Sequence, residues 1–173
     1  IKSSPEVEDL ALRAGSSHGV TFVPALTGLG APFWDPQARG TFMGLTRGSD
    51  RGAIAYATLE GIAFQVKAVL DAMAHDLGNS LTGIRVDGGA AANDLLMQIQ
   101  ADCLDTQVIR AKHLESTGLG AALLAGLGAG IFSSLSDLEK LNPAAKKFVP
   151  QRDRSHEYSR WLQAVKLLRE FEN

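Results

Sequence analysis

The sequence predicts an α/β domain built on a mixed sheet with crossover helices. Three observations carry that expectation. From residue 50 onward, stretches with apolar residues every three or four positions alternate with short β-branched runs, in the order helix, strand, helix, strand, helix. Strands separated by helices pair in parallel through crossovers. The 173 residues hold 18 Gly and 24 Ala against 11 aromatics, so backbones can approach each other and a ligand closely. A hydrophobic content of 45% and a charged content of 21% are those of a globular domain with a substantial core.

The elements follow in order. Pro5–Ala14 is predicted as a short helix, with Ser4 as its cap, Pro5 in the first turn and Gly15 as its stop. Val20–Pro24 reads as a strand. Ala25–Gly48 is a loop rich in Gly, Pro and turn pairs, and a loop that long is usually functional. Asp50–Leu77 is the clearest helix: Ile54, Leu59, Ile62, Ala63, Val66, Leu70, Met73 and Leu77 form one stripe, with Glu60, Lys67, Asp71 and His75 off it. Gly78-Asn79 ends it. Thr82–Val86 is a strand, Asp87-Gly88-Gly89 a tight turn, Ala90–Leu104 a helix and Thr106–Arg110 a further strand. Glu115–Phe132 is a small-residue helix, expected to be buried. Ser136–Leu141 is a short helix stopped by Asn142-Pro143. Residues 154–171 close the chain as an amphipathic helix, its stripe of Tyr158, Trp161, Val165 and Leu168 lying within His156–Phe171.

Charge and cysteine content exclude several classes. Lys and Arg number 17 and Asp and Glu 19, so no concentrated basic surface for nucleic acid is expected, and no acidic tail. One cysteine, Cys103, supports neither a disulfide nor a Cys-based zinc site, and it falls on the apolar side of a helix as a small core residue. His18, His75, His113 and His156 lack metal-ligand spacing. No GxSxG elbow, GxxxxGKS/T loop or GxGxxG fingerprint occurs. Ile1–Ser4 is no signal peptide, and a start without Met reads as the middle of something longer.

The strongest local signal for chemistry is Arg85-Val-Asp-Gly-Gly-Ala-Ala-Ala-Asn93. A strand runs into a Gly-Gly turn and a helix begins at once. Ligands of open α/β sheets bind at such strand C-termini, where free N–H groups and the positive end of a helix favour an anion. Gly88 and Gly89 let a nucleotide lie against the main chain, and Asn93 can point an amide at it. The competing reading is an ordinary connecting turn with Asp87 as a local cap. A second candidate is Thr27–Gly40, with Trp34, Asp35 and Arg39. There Asp35 and Arg39 are spaced for an ion pair, and the alternative is a rigid loop anchored to the core by Trp34. A third is Thr117-Gly-Leu-Gly-Ala-Ala122, whose glycines either open a helix near a ligand or let it pack on the sheet.

Taken together, Val23-Pro-Ala-Leu-Thr-Gly-Leu-Gly-Ala-Pro-Phe-Trp-Asp-Pro-Gln-Ala-Arg-Gly40, Gly44-Leu-Thr-Arg-Gly48, Ala57-Thr-Leu-Glu-Gly-Ile-Ala-Phe-Gln65, Val86-Asp-Gly-Gly-Ala-Ala-Ala-Asn93 and Gly118-Leu-Gly-Ala-Ala-Leu-Leu-Ala-Gly126 resemble the glycerol kinases of the FGGY carbohydrate kinase family. The loop version Gly-Leu-Gly-Ala-Pro-Phe-Trp favours that branch over xylulokinase-like members. The resemblance implies part of an actin/hexokinase-like (ribonuclease H-like) ATPase domain. It also implies phosphorylation of glycerol by ATP with Mg²⁺, in a cytoplasmic and homo-oligomeric enzyme without a nucleic-acid or membrane partner. Residues 1–173 then correspond to the C-terminal part of the family's C-terminal, nucleotide-side domain. The glycerol pocket and the catalytic base lie upstream, and the 173 residues alone are expected to be inactive. Gly89 and Asn93 align with family nucleotide-binding positions, and Gly88 follows by adjacency. In some bacterial members a segment matching Pro150–Trp161 binds a sugar-transport regulator. It departs here in length and residues, so that partner is not carried over. The alternatives are a related sugar or polyol kinase, or a stand-alone nucleotide-binding or oligomerisation module.

Overall fold

A computed structural model describes residues 3–79, 81–139 and 141–171. Ile1 and Lys2, on which the reading of the N-terminus partly rests, lie outside them. The elements are α1 (Glu6–Ala14), β1 (Thr21–Val23), β2 (Thr41–Met43), α2 (Arg51–Leu77), β3 (Ile84–Val86), α3 (Asp94–Leu104), β4 (Val108–Ala111), α4 (Ser116–Gly128), α5 (Leu135–Glu139), β5 (Ala144–Phe148) and α6 (Ser155–Phe171). β1 and β2 form an antiparallel ribbon. β3, β4 and β5 form a mixed sheet in that order, β3 parallel to β4 and β5 antiparallel to it. The predicted α/β class, with α3 as the crossover between parallel strands, is therefore present.

α2 is the spine. Its 27 residues span about 40 Å at the α-helical rise. Asp50 caps it, Oδ1 accepting from the Ala53 N–H at 2.8 Å, and Gly78 ends it at φ +66°. Among the described residues it is the one helix long and apolar enough to cross a membrane, yet 56% of its most apolar window is buried inside the fold. Gly61 explains the close packing, because a Cβ there would strike the Phe22 carbonyl of β1. Over α2 lie α1, α3 and α6, whose Trp161, Val165 and Leu168 are buried as their spacing predicts. The Trp161 indole donates to the Phe22 carbonyl at 3.0 Å and packs among Phe33, Phe64 and Tyr158. Cys103 is buried, as expected, and burial pushes its thiol up to about 12.

Several expectations are corrected. Ser4 does not cap α1 with its side chain. Pro5 occupies the cap position, and the Ser4 carbonyl accepts from the Val7 N–H at 3.1 Å. β2 and β5 were not foreseen: β2 lies within the long loop, and the first four residues of β5 are exposed, so no alternation marks it. Glu60 is buried, although the stripe puts it outside. The buried face of α2 includes Tyr56, Leu59, Glu60, Ala63 and Phe64, whereas Ile54, Val66, Met73 and Leu77 of the predicted stripe are exposed, and Arg154, itself buried, reaches Glu60 at 2.9 Å, Asp102 at 3.2 Å and the Tyr56 hydroxyl at 3.1 Å. Desolvation raises the Glu60 carboxyl above its usual range, with Ser17 and Arg154 pulling it back. α4 is mostly exposed, with only Gly126 buried and Leu124 at 61% exposure. Its glycines do not pack on the sheet: a Cβ at Gly118, Gly120 or Gly128 would meet nothing within 4 Å, and Gly126 packs against Phe132 instead.

Candidate functional site

The predicted Ala90–Leu104 helix is two pieces, and the break is where the site forms. β3 delivers the chain to Asp87, Gly88 turns it at φ +82°, Gly89–Ala92 form a 3₁₀ turn, and Asn93 starts α3. At that φ a residue with a Cβ is strained, so Gly88 is fixed by the backbone. Gly89 is different: a Cβ there would meet nothing within 4 Å. The face above Gly89 is open, and the fold itself does not require glycine there.

The hydrogen bonds sort the donors of the turn. The Gly88 N–H goes to the Leu114 carbonyl at 2.8 Å, tying the turn to the segment before α4. The Ala91 N–H goes to the Gly88 carbonyl at 3.1 Å and the Asn93 N–H to the Ala90 carbonyl at 3.2 Å. The N–H groups of Gly89 and Ala90 have no partner among the described residues. Two adjacent free donors at the start of a helical turn are of the kind that favours an anion. Buried Ala91 pins the turn to the core.

Asn93 has a structural duty as well. Its Oδ1 accepts from the Leu96 N–H at 2.7 Å and caps α3. The cap role considered for Asp87 therefore belongs to Asn93, and Asp87 stays exposed. With its oxygen committed, Asn93 offers its amide N–H groups as donors. The Glu8 carboxylate of α1 accepts the Leu95 N–H at 2.8 Å and adds negative charge at the start of α3.

Behind the turn stands a cluster that sequence reasoning missed. From β4, Arg110 Nη1 donates to the Ala91 carbonyl at 3.0 Å, the Ala92 carbonyl at 3.2 Å and Asp94 Oδ1 at 2.6 Å. From β5, Lys146 Nζ reaches Asp94 Oδ2 at 2.5 Å. Both cations also lie over the Phe148 ring. Lys146, with Arg110, holds the Asp94 carboxyl below the ordinary carboxylate range. The parallel pairing that places Val86 opposite Arg110 could have hinted at this contact; β5 could not, because nothing marked it as a strand.

Beside the turn is a cleft of about 660 Å³ lined by Arg85, Val86, Asp87, Ala111, Ser116, Leu138 and Asn142. It lies at the C-terminal ends of β3 and β4 and at the start of α4, the side of an α/β sheet that takes ligands. Arg85 Nη2 donates to the Asn142 carbonyl at 3.2 Å, and the Asn142 side chain bonds the His113 backbone at 2.9 and 3.3 Å. Asp87, which lines the cleft, leads directly into Gly88, Gly89 and the turn that ends at Asn93.

The second candidate loop is not a reactive site of its own. Asp35 and Arg39 do not pair. The Asp35 carboxylate accepts the N–H groups of Gln37 and Ala38 at 3.0 and 3.2 Å and the Arg169 guanidinium of α6 at 3.3 Å. Arg39 donates to the carbonyls of Pro36, Gln37 and Ala38. Trp34 does not anchor the loop: it is 76% exposed, and Leu29 is buried in its place. The loop is rigid because its backbone is pinned, including paired Leu29–Asp35 bonds at 2.7 and 2.8 Å.

Comparison with known proteins gives a consistent result. Residues 3–129 match the C-terminal domain of the FGGY family of carbohydrate kinases. The glycerol kinase of Bdellovibrio bacteriovorus is 51% identical over 168 residues, covering 95% of this chain and 34% of that protein. The crystal structure of Plasmodium falciparum glycerol kinase with ADP matches with a TM-score of 0.85 at 36% identity, over 97% of this chain and 34% of that one. The xylulose kinase of Rhodospirillum rubrum matches with a TM-score of 0.76 at 26% identity, again over 97% of this chain and 34% of the other. The chain spans about a third of the length of the relatives it matches.

Proposed function

The chain belongs to the FGGY family of carbohydrate kinases, within that family's C-terminal domain, and from this premise we propose that it is the nucleotide-side part of a longer glycerol kinase. The reaction transfers the γ-phosphoryl group of ATP to a hydroxyl of glycerol, giving glycerol 3-phosphate and ADP. In this reading residues 1–173 are the C-terminal part of the nucleotide-side domain, closed by the helix at 154–171, and Gly89 and Asn93, with Gly88, hold the nucleotide. The whole enzyme is a cytoplasmic homo-oligomer without membrane or nucleic-acid partners.

The observation that best supports the reading is the turn itself: free N–H groups on Gly89 and Ala90, an open face above Gly89, and an Asn93 amide directed by its own cap. The higher identity to a glycerol kinase structure, 36% against 26% for the xylulose kinase, favours glycerol over a sugar substrate.

Phosphoryl transfer depends mainly on positioning and charge stabilisation. This chain's share is to fix the nucleotide end. The Gly89 and Ala90 N–H groups donate to anionic oxygen at the positive end of the turn, and Asn93 donates an amide hydrogen bond. Mg²⁺ neutralises the nucleotide's phosphates when bound. Among the described residues no group of three or more His, Cys, Asp or Glu could hold a metal ion. Asp35 is no base, since its carboxylate is committed to two N–H groups and Arg169. The glycerol proton is therefore assigned to an aspartate in the upstream part, brought close by closure of the two domains, which also excludes water.

The test is glycerol-dependent ADP formation by the full-length polypeptide. Gly89→Asp, which puts a carboxylate beside phosphate, and Asn93→Ala should raise the ATP KM at least tenfold and leave the glycerol KM within twofold. The 173 residues alone should turn nothing over. Faster turnover of another polyol, an unchanged ATP KM in both variants, or turnover by the isolated chain would each overturn this assignment.

A further inference from the structure

We infer that Arg110 is a positioning residue for the nucleotide turn, holding the main chain just before Asn93 and the Asp94 side chain just after it while touching no ligand itself. The inference rests on the reading of that turn as the nucleotide site.

The geometry has three parts. Arg110 sits on β4, the central strand of the three, so its backbone is fixed by β3 on one side and β5 on the other. Its Nη1 reaches the carbonyls of Ala91 and Ala92, immediately before Asn93, and Asp94 Oδ1, immediately after it. Its stem and guanidinium are mostly buried, with 17% side-chain exposure, over the Phe148 ring. All three contacts come from the one Nη1, whose two N–H groups are shared among the three acceptors, while the Phe148 ring lies under the guanidinium plane that carries it.

This arrangement does something specific. The last carbonyls of a helical turn have no partner within it, and a cation there complements the negative end of its dipole. Arg110 satisfies the end of the Gly89–Ala92 turn that faces the sheet. The opposite end, with the free Gly89 and Ala90 donors, is thereby aimed outward. By gripping Asp94 as well, the same side chain fixes where α3 begins and so where the Asn93 cap points its amide. Lys146 shares Asp94 and no carbonyl of the turn, so it should matter less.

The experiment measures ATP and glycerol kinetics of the full-length polypeptide as wild type, Arg110→Lys, Asp94→Asn and Lys146→Met. Arg110→Lys keeps the charge and loses the rigid plane that holds Nη1 in place over the Phe148 ring, and should raise the ATP KM about five- to twentyfold with the glycerol KM within twofold. Asp94→Asn should give a smaller rise in the same parameter, and Lys146→Met a change under twofold. A merely structural Arg110 would lower the melting temperature and leave the ratio of the two KM values unchanged. Should Arg110→Lys not fold, Asp94→Asn carries the test. ATP KM values within twofold of wild type for both, or equal rises in both KM values, overturn the inference. If Gly89→Asp and Asn93→Ala raise the ATP KM while Arg110→Lys does not, this inference fails and the site stands. If none of them does, the site reading fails.

Discussion

Replacing Arg154 with Met should destabilise the fold by about 4 kcal/mol, because breaking a buried ion pair on one side costs about 3–5 kcal/mol. The guanidinium is 3% exposed and its partners Glu60 and Asp102 are 6% and 3% exposed. The loss falls unequally on the two carboxylates. Asp102 keeps the Gln98 amide at 2.8 Å and the Gln151 N–H at 2.9 Å, whereas Glu60 keeps, among the described residues, its hydrogen bond with Ser17 and the weaker pull of the Arg152 charge. Glu60 is therefore the charge left stranded. A native stability of about 5–15 kcal/mol makes this a large fraction of the whole. In urea, with a slope of about 2 kcal/mol per molar, the midpoint should fall by about 2 M. Glu60→Gln should destabilise the wild type, yet stabilise Arg154→Met by about 1–3 kcal/mol, since it removes the unpaired buried charge. pH gives an independent check. Burial raises the Glu60 carboxyl, so the fold favours its protonated form. Stability from that preference is complete below the unfolded value, 4.5, and is lost as pH rises through the raised folded value. Without Arg154 the preference strengthens, so the variant's deficit should be smaller at pH 5 than at pH 8. Urea unfolding followed by circular dichroism measures all of this. A deficit under 1 kcal/mol, or a Glu60→Gln effect of the same sign in both backgrounds, refutes the reasoning.

Other outcomes follow from single contacts. Asn93→Ser should preserve the α3 cap to within about 0.5 kcal/mol, since Ser and Asn cap comparably; with the amide donors gone, the ATP KM of the full-length polypeptide should still rise severalfold. Cys103, buried and pushed up to about 12, should resist a thiol-specific disulfide reagent at pH 8 in the native chain and react fully in urea. Asp94 is held below its usual range by Lys146 and Arg110, so its contribution to stability is present above the unfolded value, 3.8, and is lost as pH falls through the lower folded value. Asp94→Asn should therefore flatten that part of the acid limb in thermal unfolding between pH 2 and 5.

What was legible in the sequence was local. Asp87-Gly88-Gly89 between a β-branched run and an apolar helix specifies a strand, a turn with positive φ and a helix start, and those are present. Trp161, Val165 and Leu168 recur at helical spacing and are buried. What was not legible depends on residues distant in the chain. Arg154 lies 94 positions from Glu60 and 52 from Asp102, and no periodicity can announce a carboxylate whose burial is made tolerable from that far away. β5 escaped because an exposed edge strand carries Lys146 and Lys147 where a half-buried one would alternate. Asn93 was half legible: its type and place suggested a ligand amide, but only the break before α3 reveals that its oxygen is already used.

α4 marks the boundary of such reading most clearly. Its mean composition is that of a buried helix, and burial was the expectation. In the fold Leu124 is 61% exposed and Ile131, just beyond the helix, 73%. Composition reports what a helix would bury; it does not report whether the covering surface lies within the same 173 residues. The chain covers 34% of the length of its glycerol kinase relative, which agrees with an apolar helix whose cover lies elsewhere. The turn at Gly88–Asn93 behaves in the opposite way. Its anchors, the Leu114 carbonyl and the Arg110 guanidinium, with Glu8 at the start of α3, all lie within these residues, so its geometry is complete here. The first effect of damage at α4 should therefore be on assembly and solubility, and of damage around Asn93 on the nucleotide.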